Sequence, residues 1–167
     1  MNNIQKFYDL RSKNSIIDDS VLLSLFDSLP IITSDEMLGK WKGGDFKTGH
    51  WGNKALAEMK WYGKWFKSKF DVLPIICFND EGKLFSNKIM KGEASILDVS
   101  FRGKTSATMI YDGVPIFDHF RKVDNNIVFG LMDGKHIEGF PDIVDNGKYY
   151  FFFLERIAKY PAKFIEQ

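Results

Sequence analysis

The sequence predicts a mainly β protein: an antiparallel β-barrel with a short N-terminal helix and a second helix between strands one and two. Three observations carry this. Sixteen Phe, six Tyr and four Trp stand among 167 residues, and aromatic side chains favour pleated, half-buried surfaces and large interiors. From residue 71 onward, short apolar runs alternate with turn signals rich in Gly, Asn and Asp. The links between runs are too short for parallel crossovers, so neighbouring strands must run antiparallel.

The elements follow in order. Residues 1–19 read as a weakly ordered leader. A short helix over 21–29, capped by Ser20, carries Leu22, Leu25, Phe26 and Leu29 at helical spacing, and Pro30 stops it. The first strand, 37–46, is punctuated by glycine. A helix is expected over 53–68, where Ala55, Met59, Tyr62 and Phe66 recur at i, i+4, i+7 and i+11. Strands then follow at 71–78, 83–88, 93–101, 104–112, 114–123, 127–133 and 148–157. Asn79-Asp80-Glu81-Gly82, Arg102-Gly103, Asp112-Gly113, Asp124-Asn125-Asn126 and Asp133-Gly134 divide them. Eight strands in a meander leave two edges, and closure hides both. Residues 20–167 are therefore expected to form one barrel domain. The longer loop, 135–147, with its Gly139-Phe140-Pro141, is expected to be a flap at a barrel end.

Composition narrows the function. Apolar residues make up 44% and charged residues 27%, as in a globular protein. A net charge of +1 offers no broad attraction for nucleic acid. The single Cys77 excludes an internal disulfide and suits a reducing compartment. Residues 1–14 are polar and carry Lys6, Arg11 and Lys13, unlike a secretory signal, and the longest apolar run, 149–154, is too short to span a bilayer. A cytoplasmic location is expected.

Gly39-Lys40-Trp41-Lys42-Gly43 is a G-x-W-x-G match on the first strand, just after a short helix. It resembles the first-strand signature of lipocalins, which implies a lipocalin-like barrel with Trp41 plugging its closed end. The helix between strands one and two resembles the fatty-acid-binding-protein arrangement, in which helices lid the open end. A closer resemblance is to the bacterial GXWXG family. Its members pair this motif with a C-terminal region like Met109 through Ile116, Asp118-His119-Phe120-Arg121-Lys122-Val123 and Gly130-Leu131-Met132-Asp133-Gly134. The resemblance covers roughly residues 29–156, with 39–68 as the motif segment and its lid helix and 104–157 as the C-terminal strands. Both parts are of unknown function in that family, so it implies an architecture and no activity.

Strand 114–123 is the most informative about chemistry. Alternation puts Phe117, His119, Arg121 and Val123 on one face and Ile116, Asp118, Phe120 and Lys122 on the other. Whichever face turns inward buries polar groups that need partners. With the first face inside, Arg121 would receive a ligand carboxylate bidentately, and His119 and Tyr111 would complete the site. With it outside, Arg121 lies at the barrel end or in solvent and His119 is satisfied internally. Phe117 and Trp41 complete the candidate ligand set. His50, in Thr48-Gly49-His50-Trp51-Gly52 near the expected mouth, is either a gate or a turn residue.

The leading expectation is a protein that holds a small apolar or amphipathic, fatty-acid-like ligand in a barrel cavity, with no nucleic-acid partner. A haem barrel would use His119 or His50 as iron ligand. The three histidines show no paired-ligand spacing, so no metal site is expected, and no cofactor is identified. Trp61 and Trp65 share one face of the expected helix, with Lys60, Lys64 and Lys67 on another. Such a helix would touch a membrane surface transiently, or pack against the barrel or a second copy in a homodimer.

Enzyme signatures are weak. Gly103-Lys104-Thr105 imitates a phosphate loop, but Asp98 stands where its first glycine belongs. Cys77 reads as a small core residue, and no G-x-S-x-G elbow is present. An enzyme acting by acid–base chemistry in an α+β cone would pair Asp118 or Asp98 with His119. Adjacent strand residues face opposite ways, however, so Asp118 and His119 need a bulge to share one pocket. A third reading has no ligand, with aromatics filling the interior.

Overall fold

The computed structural model describes residues 1–166. Its elements are α1 (Asn3–Arg11), α2 (Asp19–Ser28), β1 (Gly39–Asp45), α3 (Trp51–Glu58), β2 (Trp61–Ser68), β3 (Asp71–Phe78), β4 (Leu84–Ser86), β5 (Ala94–Phe101), β6 (Lys104–Tyr111), β7 (Ile116–Lys122), β8 (Ile127–Gly134), β9 (Tyr150–Ile157) and β10 (Phe164–Ile165). The strands pair in the order β3-β2-β1-β9-β8-β7-β6-β5, and β5 returns to β3 through Val72 and Ala94. The amide of Ile96 donating to the Lys69 carbonyl (2.8 Å) reinforces that seam. Eight strands thus close into the expected antiparallel barrel. β4 continues the sheet outside the ring from β3, and β10 joins β4 in parallel.

Both faces of much of this sheet are buried. Inside lie Trp41, Phe66, Ile96, Met109, Ile116, Phe120, Val128, Tyr150, Phe152 and Leu154. Outside, Phe129, Leu131, Phe151 and Phe153 meet Phe7, Leu22, Leu25 and Phe26 of α1 and α2. The unbroken apolar run of β9 follows from this: odd residues serve the helix-covered layer and even residues serve the interior. Under β4 and β10, Leu73, Ile76 and Leu84 form a third cluster with Trp65 and Tyr160.

Three expectations are corrected. The stretch expected to be a weakly ordered leader forms α1, capped by Asn2, because Phe7 and Leu10 can be buried on the outer layer. The cap of α2 is Asp18, whose carboxylate accepts from the Ser20 amide, rather than Ser20. Most consequentially, the helix expected over 53–68 ends at Glu58. Lys60 takes a left-handed conformation (φ 56°), and residues 61–68 are strand β2. Half of the apparent helical stripe therefore belongs to a strand, where the density of Trp, Tyr and Phe is at home.

Consequently Trp61 and Trp65 do not share a helical face. Trp61 packs against the interior, whereas Trp65 lies outside beneath Lys40 and Lys67 and beside Phe164. Among the described residues, no helix is long and apolar enough to cross a membrane.

Candidate functional site

Trp41 lies in the barrel interior. It is fully buried, its indole N–H donates to the Met37 carbonyl (2.8 Å), and the Arg156 guanidinium lies 4.2 Å over its ring. The pocket lies beneath α3. α3 supplies Trp51, Gly52, Ala55 and Leu56, with Met59 just after it; the strands supply Trp61, Lys64, Ile75, Tyr111, Asp118, Met132, Tyr150 and Phe152, and Met90 closes a side. The cavity is about 70 Å³, within about 530 Å³ of atom-free space counted out to the mouth. Its walls are almost wholly aromatic, aliphatic and thioether groups.

Local sequence builds this pocket through two glycines. On β1, a Cβ at Gly43 would overlap the Trp61 ring, so the second glycine of the motif makes room for a pocket wall. On β2, a Cβ at Gly63 would overlap the Trp41 backbone carbonyl. The pairing of β2 with β3 shifts register on both sides of Gly63. This bulge brings Trp61 and Lys64, three residues apart, to the same inner face, which strict alternation forbids.

The polar feature of the pocket is a buried ion pair. Lys64 and Asp118 are each 2% exposed, and Lys64 Nζ lies 3.1 Å from Asp118 Oδ2. The same ammonium donates to the Pro74 carbonyl (3.1 Å) and faces the rings of Trp61 and Phe152 at 5.4 and 5.3 Å. Asp118 Oδ1 has no hydrogen-bond partner among the described residues. Burial pushes the Lys64 ammonium below its ordinary value and the Asp118 carboxyl above its own, and each partner opposes the shift in the other. Burial likewise raises the Tyr111 phenol.

α3 is anchored as a lid. His50 caps it, its Nδ1 accepting from the Gly52 amide (3.0 Å), which leaves Nε2–H to donate to the Ile143 carbonyl (3.1 Å). The Trp51 indole donates to the Asp142 carbonyl (2.8 Å), so the loop over 135–147 is tied to α3. Asp45 accepts from both Asn53 Nδ2 (2.7 Å) and the Tyr150 hydroxyl (2.8 Å), tying α3 to β1 and β9.

Of the residues expected from sequence to bind ligand, only Tyr111 lines the pocket; Asp118, Trp61 and Lys64, singled out for other roles, line it too. His119, Arg121 and the half-buried Phe117 are on the outer face of β7, because Ile116, Asp118 and Phe120 turn inward. Arg121 is not an anchor for a ligand carboxylate: it lies over the Phe26 ring and donates to the Phe101 and Phe120 carbonyls (2.9 and 3.2 Å). His119 stacks on Phe101 at 3.7 Å and hydrogen-bonds Thr108 (2.9 Å); burial, then Arg121, lowers its pKa to about 4. His50 is a cap with both ring nitrogens engaged and a burial-lowered pKa. Neither histidine presents a free nitrogen to the pocket, which removes the haem alternative in this geometry. The Asp–His acid–base pair is likewise not assembled, since Asp118 faces in and His119 out, and Asp98 accepts from Ser34 elsewhere. Cys77 is a buried core residue whose thiol is raised to about 11 by burial. Among the described residues, no cluster of His, Cys, Asp and Glu is placed to hold a metal ion.

Comparison with known proteins places these features in a wider group. Residues 24–82 match the family model described as GXWXG protein, and residues 92–156 match a domain of unknown function, DUF4334. A crystal structure of a protein from Thermomonospora curvata is 36% identical, with a TM-score of 0.81, and the match covers 94% of this chain and 99% of that one. No curated protein matches the chain.

Proposed function

This chain belongs to the GXWXG family, and we propose that it binds a small, neutral, predominantly apolar ligand in the pocket beneath α3. The observation that carries this reading is an apolar cavity whose floor holds a buried ion pair with one carboxylate oxygen unpartnered. Burying apolar surface would supply about 25 cal/mol per Å², before the costs of association. Asp118 Oδ1 would accept a hydrogen bond from a ligand N–H or O–H and so fix its orientation.

A fatty-acid carboxylate suits this floor poorly. Lys64 already has its counter-ion, and a second carboxylate would meet Asp118 in a low-dielectric site. The cavity is also narrow for a long chain unless α3 moves outward. The preferred ligand is a small alcohol, amide or carbonyl compound.

Native mass spectrometry of the full chain with hexanol, hexanal, hexylamine and hexanoate, at equal concentration and neutral pH, tests this. The expected order places the neutral compounds above hexanoate by about tenfold or more, equivalent to about 1.4 kcal/mol. Strongest binding by hexanoate, or no binding by any of them, contradicts the reading.

A further inference from the structure

The reading of the pocket as a site for a small apolar ligand leads to a chemical consequence at its floor. We propose that Lys64 captures small apolar aldehydes as a Schiff base, with Asp118 as proton carrier and counter-ion. The proposal rests on the pocket reading. It goes further by naming the ligand's reactive group and the bond it forms.

The geometry supplies the three things imine formation requires. The first is an amine in contact with the cavity that also holds the substrate, and Lys64 lines that cavity. The second is a proton carrier within reach, and Asp118 Oδ2 lies 3.1 Å from the Lys64 nitrogen. The third is a dry, apolar surround that favours the uncharged amine and limits hydrolysis, and here Trp61, Phe152 and Tyr111 surround the ammonium at 5.3–5.9 Å. Burial acts on both partners in the direction of the neutral amine and neutral carboxyl. Asp118 Oδ1 has no hydrogen-bond partner among the described residues, so it is available to carry the proton.

The step balances within the pair and its substrate. The Lys64 nitrogen lone pair bonds to the carbonyl carbon as the C=O π electrons move to oxygen, which takes the Asp118 proton. Asp118 then recovers a proton from nitrogen and returns it to the hydroxyl, which leaves as water while the nitrogen lone pair forms C=N. Amine, carboxyl and aldehyde thus become a protonated imine, a carboxylate and one water. The product restores a cation–carboxylate pair on the same floor, so the barrel interior keeps its charge balance.

The test is reductive trapping. The full chain is incubated with hexanal and cyanoborohydride, and adducts are mapped by peptide mass spectrometry. Free hexanal binding is followed in parallel by native mass spectrometry without the reductant. The expected result is one adduct per chain on Lys64, at aldehyde concentrations that leave the surface lysines unmodified. Lys64→Met should lose that adduct, and Asp118→Asn should slow its formation about a hundredfold. Hexanal that binds without labelling Lys64 overturns the imine and leaves the pocket reading intact. Hexanal that neither binds nor labels overturns both. Labelling of Lys64 no faster than of surface lysines also overturns the imine.

Discussion

Lys64 of β2 and Asp118 of β7 meet at 3.1 Å inside the barrel, both shielded from solvent, and theirs is the polar contact at the bottom of an otherwise apolar pocket. A buried pair of this kind is weak evidence for stability, since two charges lose hydration to form it. Removing one partner is a different matter. Asp118→Ala should cost about 3–5 kcal/mol in urea unfolding, by stranding the ammonium. The double variant Lys64→Met, Asp118→Leu should recover most of that loss. A double variant no more stable than Asp118→Ala would contradict the pairing.

The two glycines that shape the pocket should respond differently. At Gly43 the added methyl meets the Trp61 ring, a side chain able to tilt, so Gly43→Ala should cost about 1–3 kcal/mol and weaken ligand binding. At Gly63 the obstacle is the Trp41 carbonyl, which is backbone and paired in the sheet. Gly63→Ala should therefore lower the thermal midpoint more than Gly43→Ala does. The reverse order would show that the bulge at Gly63 relaxes freely.

Arg121 separates stability from binding. It lies on the outer face of β7, over Phe26, and so should matter to the docking of α2 and not to the pocket. Arg121→Met should cost about 1–3 kcal/mol, through the lost hydrogen bonds to the Phe101 and Phe120 carbonyls and the lost contact with the Phe26 ring, while hexanol affinity stays within about twofold. A large loss of affinity at unchanged stability would return Arg121 to the site.

Acid sensitivity should trace to His119. Its folded pKa of about 4 lies below the ordinary 6.5, so between these values the unfolded chain holds more protons. Its contribution is complete above pH 6.5 and disappears as pH falls from there towards 4. His119→Phe, which keeps a ring against Phe101, should flatten the stability-versus-pH curve in that window. An unchanged slope would place the titration elsewhere.

The chain wrote its barrel more openly than its pocket. Seven of the eight strands after residue 70 can be read from turn chemistry, because Asn, Asp and Gly stand at their junctions, although one of them, β4, lies outside the ring. The barrel strand β2 is hidden: Ala55, Met59, Tyr62 and Phe66 satisfy a helical period across what is half helix and half strand. That misreading concealed Lys64, as did the bulge at Gly63, whose register shift no alternation rule anticipates. Asp118 was legible as one of two possible inward faces. The choice depends on the cover given to the other face by α1 and α2, and residues 1–19 read as loose chain although Phe7 and Leu10 dock there. Covered on both sides, a strand such as β9 loses the polar–apolar alternation that distinguishes inside from outside.

The most direct measurement uses the methionines. Met59, Met90 and Met132 line the pocket, whereas Met37 packs in the core beneath Trp41 and Met1 is exposed. In a methyl-labelled sample titrated with hexanol, saturable shifts are expected at Met59, Met90 and Met132, with Met37 and Met1 unmoved. Shifts spread evenly over all of them, or none at the three pocket methyls, would contradict a ligand site beneath α3.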